Sequence, residues 1–389
     1  MKNIFIIAGL SALLLFFVHN QSLADCAGDF DRDGDIDGSD LVVFIEDFGR
    51  TDCGTVPPCE ADIHPPGFPD GDVDESDLAV FAADFGRTDC PLPAPLNLFN
   101  IGNSIGEGEA AYGDIGAAHH EAVWSTGYNP GDIVFSLNER FENVDPEGYD
   151  ENDIIKDATF NHAASGAVMA DFVIQANEAV AAAAATPSGT VGMVTILLGN
   201  NDVCSAADPE TMIDPVVLAA FESQYRAGLD VLAASDATRN AYIHISGIPA
   251  IYWLWIAKRT NLWCRLFVWP FVPCQILLAD PVNDCGVGDS HLDPDTIHPD
   301  DGDNCKRRKQ FHTAIRDFYN PILRDVLMEY KEAGLLPNAY YVDIFNIQFE
   351  EIHVNDGDCF HPSVVGHEML GEEQWRRSPW SLTDPLYIH

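Results

Sequence analysis

The sequence predicts an α/β fold of three layers, α/β/α, with a central parallel sheet, preceded by a small duplicated module. Three observations carry this. Four apolar runs, LNLFNIG from Leu96, TVGMVTILLG at 190–199, AYIHISGIP at 241–249 and AYYVDIF at 339–345, alternate with helix-like segments. The stretches Cys26 to Cys53 and Cys59 to Cys90 both end in DFGRTDC. Between the two regions lies CPLPAPL at 90–96, whose three prolines read as a semi-rigid linker. Runs apolar on both faces, alternating with helices, imply a parallel sheet covered on both sides.

The first residues read as a secretory signal over 1–24. Lys2 is a short basic start, Ile4 to Val18 an apolar run too short for a comfortable membrane span, and Ser22-Leu23-Ala24 a cleavage site. The mature chain is expected to begin near Asp25, to be extracellular, periplasmic or cell-surface, and to hold no transmembrane segment. A net charge of -42 over 389 residues argues against nucleic acid or an anionic membrane as partner. It suits cation binding or a saline habitat, which charge alone does not separate. With 47% hydrophobic residues the chain has material for a real core.

Export makes the ten cysteines readable as disulfides. Within the repeats the order suggests Cys26–Cys53 and Cys59–Cys90. Of the fifteen pairings open to the other six, neighbourhood suggests Cys264–Cys274, Cys285–Cys305 and a Cys204–Cys359 tie.

The repeats occupy 25–90. In the first, Asp29, Asp31, Asp33, Gly34, Asp35, Asp37 and Asp40 fall at positions 1, 3, 5, 6, 7, 9 and 12 of an EF-hand-type loop. Alternate residues of a tight loop point inward at a hard cation, and Gly34 permits the sharp turn. In the second, Asp70, Gly71, Asp72, Asp74 and Asp77 align with the later positions; Asp62 and His64 supply the early ones only if PPGFP is looped out. The duplication, the aspartate at position 12 and the absence of a preceding helix resemble dockerin-type calcium repeats. That resemblance implies structural Ca2+ at one or two loops and a cohesin-like or cell-surface partner.

The larger region, 97–389, carries helix-like segments at Gly166 to Ala185, Pro215 to Ala234, Lys306 to Ala333 and from Pro362. Ligands of parallel sheets bind beyond the carboxyl ends of the strands. There stand Ser104, then Gly166 after NHAAS, then Asn201 in GNND, then Asp358 and His361 in DGDCFHPS. A serine hydroxyl needs a base, and the base needs an orienting carboxylate. Asp358 and His361, three apart and ahead of Pro362, would project alike from one helical turn. The Ser104 N–H, the Gly166 N–H and the Asn201 amide are candidate oxyanion donors. His119, His120, His353 and His367 are weaker bases, and Asp356 is a rival partner for His361.

These four blocks, in this order, resemble the SGNH (GDSL-type) hydrolases. The resemblance implies a flavodoxin-like sheet order and assigns Ser104, Asp358 and His361 as catalytic. It assigns Ser104, Gly166 and Asn201 to the oxyanion hole and calls for no catalytic metal. The flanking text NHAASGA, GNNDVC, SGIPAIYWLW and CFHPSVVGH is similar to the phospholipase B-like branch. The expected function is a secreted serine esterase or lipase cleaving carboxylic esters through an acyl-enzyme. Two alternatives accompany it. One is a calcium-stabilised docking protein with an inactive esterase-like domain, favoured by Asn103 where the family has aspartate. The other is a carbohydrate esterase acting on acylated polysaccharide, favoured by the dockerin-like repeats. The aromatic segment from Tyr252 to Phe271 reads as core under an insertion, or else as an acyl-pocket wall or lid.

Overall fold

The computed structural model describes residues 26–30, 34–53, 59–64, 70–88, 90, 92, 94–95, 97–144, 160–184, 186, 189–278 and 284–382. The signal segment, Asp31 and Asp33 lie outside the described residues. The chain divides into two compact units, Met1–Leu92 and Pro93–His389.

The first unit is built on two short helices, α1 (Gly38–Asp47) and α2 (Glu75–Asp84). Asp37 and Asp74 cap them, each accepting a backbone N–H of the first turn. Asp40 and Asp77 close the capping boxes by accepting the Asp37 and Asp74 N–H groups at 2.9 Å. The two copies then interlock. Ile36 N–H donates to Arg87 O and Gly86 N–H to Ile36 O; Val73 and Arg50, with Gly49, repeat the pattern. Ile36, Phe44, Val73 and Phe81 form a small shared core. Interlocking corrects the disulfide expectation. The bonds are Cys26–Cys90 and Cys53–Cys59, because each repeat's end lies against its neighbour and not against its own beginning.

The second unit holds a parallel sheet of β1 (Leu98–Gly102), β2 (Met193–Leu197), β3 (Tyr242–Ser246) and β4 (Ala339–Val342), in that order. On the free edge of β1, Asn161 makes a parallel bridge to Asn100, extended by His162 N–H to Asn100 O at 2.8 Å. Counting this segment, the chain leaves β1 in one direction and then reverses across β1 to reach β2. Crossovers share one hand, so the reversal puts successive connections on opposite faces. One face carries α3 (Ser104–Glu107), α4 (Leu137–Val144) and the turn at Trp124. The other carries α5 (Phe172–Ala183), with α6 (Asn200–Ser205) and α7 (Pro209–Met212) leading to α8 (Pro215–Ala234).

After β3 come α9 (Tyr252–Lys258), α10 (Gln275–Leu278) and α11 (Asp303–Ala314). A π-helical turn, Ile315–Tyr319, then leads into α12 (Asn320–Glu332). One continuous helix was expected here. Pro321 offers no N–H to the carbonyl four residues back, and the wider turn absorbs that gap. Helix α13 (Val364–Arg376) returns to the α4 face, where Phe141 meets Trp375 and Gln374 meets His244.

Asn100, Thr195, His244 and Tyr340 stand side by side across the four strands. Asn100, Thr195 and His244 are buried and Tyr340 half-buried, and they are joined: Thr195 donates to Asn100 at 2.9 Å, and His244 bonds the Tyr340 hydroxyl at 2.9 Å. Burial pushes the His244 pKa down to about 4, so the ring is neutral. Three further disulfides, Cys204–Cys274, Cys264–Cys359 and Cys285–Cys305, staple the loops. Only the last pairs as neighbourhood suggested. No cysteine is free, and five disulfides suit an extracellular protein. Among the described residues no helix is long and apolar enough to cross a membrane.

Candidate active site

The four strands end at one edge of the sheet, and the point where the chain reverses across β1 lies there. Ser104 is the first residue of α3, directly after β1. Asn103 caps the helix, its side-chain oxygen accepting the Ile105 N–H at 3.0 Å. Gly106 has to be glycine, since a Cβ would sit 2.8 Å from both Ala163 Cβ and the Asn100 amide nitrogen. The tight approach holds Ser104 against the edge segment.

Asn201 stands in the first turn of α6, beyond β2, after Gly199 at φ +101. Its amide donates to Ala167 O at 2.9 Å, which spends one of two N–H groups and leaves the other. Gly166 belongs to the turn bearing Ala167, at φ +80, a conformation that favours glycine. A helix was expected to begin at Gly166; it begins at Phe172, because the left-handed turn intervenes. The carboxylate of neighbouring Asp202 accepts the Met169 N–H at 2.9 Å, and burial raises its pKa to about 6.

Asp358 and His361 do not stand on a helix. They lie in a tight loop closed by Asn355 N–H to His361 O at 2.9 Å and by a bridge between Val354 and Pro362. Helix α13 starts later, capped by the Ser363 hydroxyl and not opened by Pro362. Asp358 is saturated: Oδ1 accepts the Phe360 and His361 N–H groups at 3.0 and 3.1 Å, and Oδ2 bonds His361 Nδ1 at 2.7 Å. The carboxylate thus fixes both the loop and the ring. Cys359 adopts φ +55, a costly conformation for a residue with a side chain. Its disulfide to Cys264 and the Trp269 indole N–H on its carbonyl at 3.0 Å hold it there.

Ser104, Asn103, Asn201 and His361 line one cavity of about 570 Å³, mouth included. Most of its remaining wall is apolar, with Ile105, Ile251, Leu254, Phe349, Val354 and Phe360, and Asn200 and His353 add polar groups to it. Gly166 is not part of that wall and connects to it through the Ala167–Asn201 bond. Asp356 turns outward to Lys258, so the carboxylate on His361 is that of Asp358. His367 is fully buried, and burial holds its pKa at about 3. His119 sits between Asp114 and Glu121.

Sequence reasoning passed over Glu107 and Glu109. Glu107 accepts the Ser165 N–H at 2.8 Å, and Glu109 accepts the Ser165 hydroxyl, so together they tie α3 to the Gly166 turn. Glu109 also stands 3.7 Å from His361 Nε2, on the side of the ring away from Asp358. The only sequence signal was their closeness to Ser104.

In the first unit, the Asp35, Asp37 and Asp40 carboxylates gather with oxygens within 4.8 Å of one another. Asp29 accepts the Gly34 N–H at 3.2 Å, and Asp62 accepts the Gly71 N–H at 3.0 Å. Asp62 therefore stands in the second loop where Asp29 stands in the first. Asp70 and Asp72 follow at its tip, with the Asp72 N–H reaching Asp70 at 3.5 Å.

A parallel sheet with a serine, an amide and an aspartate-bound histidine beyond its strand ends is the arrangement expected of the SGNH (GDSL-type) fold. The comparison with known proteins agrees: the model of the GDSL-like lipase/acylhydrolase family matches residues 98–373. The chain belongs to that family, and it is a hydrolase acting on esters. No curated protein matches it.

Proposed function

We propose that the protein is a secreted serine esterase or lipase, with Ser104 as nucleophile, His361 as base and Asp358 as the group that orients it. The observation that carries this is the 2.7 Å bond from Asp358 to His361 Nδ1 in a cavity also lined by Ser104. That bond fixes the tautomer with the proton on Nδ1 and the lone pair on Nε2. Nε2 takes the hydroxyl proton as Ser104 Oγ attacks the ester carbonyl. The negative charge that develops on the carbonyl oxygen is met by the Ser104 N–H, the Gly166 N–H and the second N–H of Asn201. Nε2 then returns the proton to the leaving alcohol. Water, deprotonated by His361, releases the acid from Ser104. Glu109, beside Nε2, steadies the imidazolium present between these transfers.

The apolar wall favours an acyl chain over an acetyl group, and hence lipid over acylated polysaccharide as substrate. Nitrophenyl esters of rising chain length test this, with turnover expected to rise beyond acetate. Ser104→Ala is expected to lose about a million-fold, and a serine-directed phosphonate to label the native protein and not the variant. Turnover equal to that of the native protein would overturn the mechanism.

The repeats of the first unit are read as dockerin-like calcium loops. Asp29, Asp35 and Asp40, with Asp31 and Asp33, would hold one structural Ca2+; Asp62, Asp70, Asp72 and Asp77 would hold a second. The gathering of Asp35, Asp37 and Asp40 supports the first. Chelator should lower the melting temperature of the first transition of the full chain and leave ester turnover unchanged. An unmoved transition would reject the calcium loops, and with them the grounds for a cohesin-like partner.

A further inference from the structure

The aromatic segment after β3 splits into two populations. Tyr252, Trp255 and Trp269 are fully buried. Trp263, Phe267 and Phe271 are 54%, 60% and 84% exposed, with Leu262 and Leu266 at 64% and 55%. Trp263 and Phe267 stack with centroids 5.3 Å apart, so these two rings share one face, and Phe271 follows on the same short segment. Contiguous apolar surface of this kind marks a binding surface.

The face is joined to the candidate site by covalent bonds. Cys264, buried in the same segment between Trp263 and Phe267, is bonded to Cys359, the residue between Asp358 and Phe360. Cys274, just past Phe271, is bonded to Cys204, which itself lines the cavity. Whatever covers the face is held beside the cavity.

Charge says what that is. The chain has 62 acidic and 20 basic residues, yet from Ala237 to Ala279 it carries no Asp or Glu, and Arg239, Lys258, Arg259 and Arg265 are its charges. Lys258 is paired with Asp356. Among the described residues no carboxylate pairs with Arg259 or Arg265. Arg259 lies over the Trp255 ring at 5.9 Å, and its Nε, like that of Arg265, is buried without a hydrogen bond. Unpaired guanidinium groups beside exposed Trp and Phe match the phosphate and interfacial levels of a lipid layer. The strongly negative remainder of the molecule disfavours an anionic layer.

We propose that residues 262–271, with Arg259 and Arg265, dock the protein on a zwitterionic phospholipid surface and present the cavity to it. This names the partner of the ester-hydrolase reading and rests on it for its role, though not for its test. Vesicles of ether-linked phosphatidylcholine carry no carboxylic ester to cleave, so sedimentation with them reads docking alone. The full chain should sediment with them. Trp263→Ser/Phe267→Ser/Phe271→Ser should bind at least tenfold more weakly. Arg259→Gln/Arg265→Gln should lose less, and vesicles with added phosphatidylglycerol should bind less than phosphatidylcholine alone. Turnover of a soluble short-chain nitrophenyl ester should be unchanged by the aromatic substitutions, which reports that the variant is folded. Native protein left in the supernatant, or a triple variant that sediments as well as the native chain, would overturn the proposal. So would a triple variant that turns a native dimer into a monomer without altering sedimentation, which makes the face a contact between copies. Absent soluble-ester turnover by the native chain, with docking intact, would refute the hydrolase reading and not the docking.

Discussion

The two halves of the candidate site are held in place by different means. Ser104 and Asn201 follow β1 and β2 directly, in the first turns of α3 and α6, and the sheet fixes them. Asp358 and His361 sit in a loop whose geometry rests on Asp358's own hydrogen bonds, a left-handed Cys359 and the bond to Cys264. Strand ends are positioned by the same register that builds the core, so nothing local is needed to place a side chain there. A loop has no such support, and here a crosslink and a buried carboxylate supply it. The strand-end half should therefore lose chemistry without losing fold, and the loop half should lose both together.

The sharpest test of the first clause is Asn201→Ala. Its cost is that of one oxyanion donor, about 10²–10³ in kcat. The melting temperature should barely move, because the bond to Ala167 is one of many near the sheet edge. A loss confined to KM would place Asn201 in binding and remove it from the oxyanion hole. Cys264→Ser/Cys359→Ser breaks the second clause. The crosslink closes a loop of 95 residues, for which chain entropy alone gives about 4–5 kcal/mol. Freed of it, Cys359 would relax from its left-handed conformation and shift the Asp358–His361 pair, costing about 10-fold in turnover with the fall in stability. Full activity in a destabilised variant would show that Asp358's hydrogen bonds suffice to hold the loop.

The sheet was legible because strands buried on both faces leave unbroken apolar runs, and the runs at 96–102, 190–199, 241–249 and 339–345 each contain an observed strand. The order of Ser104, Gly166, Asn201 and His361 was legible for the same reason, since each follows a strand or its neighbour. What the sequence hid was set by contacts between remote pieces. Disulfide partners depend on which loops meet, so Cys264 was assigned to Cys274 when it meets Cys359. The aromatic segment has no period that separates the buried Trp269 from the exposed Phe271. Glu109 looked like any acidic residue of an acidic chain until folding set it 3.7 Å from His361.

The smallest effect concerns Asp202, which stands in the strand-end half and carries a cost there. Burial raises its pKa to about 6 from the ordinary 3.8, against the opposing hydrogen bond from Met169. The folded state therefore binds its proton more tightly than the unfolded chain does. That contributes stability fully present below about pH 4, lost as the pH rises through 6, and absent above. Asp202→Asn keeps an oxygen for the Met169 N–H and removes the charge. It should match the native protein below pH 4 and exceed it at pH 7 by no more than about 1–2 kcal/mol, given the partial solvent access of the group. Denaturant melts across this range measure the difference. A variant less stable at pH 7 would mean that the carboxylate is paid for by its Met169 bond, and that the strand-end half, like the loop half, depends on a local carboxylate.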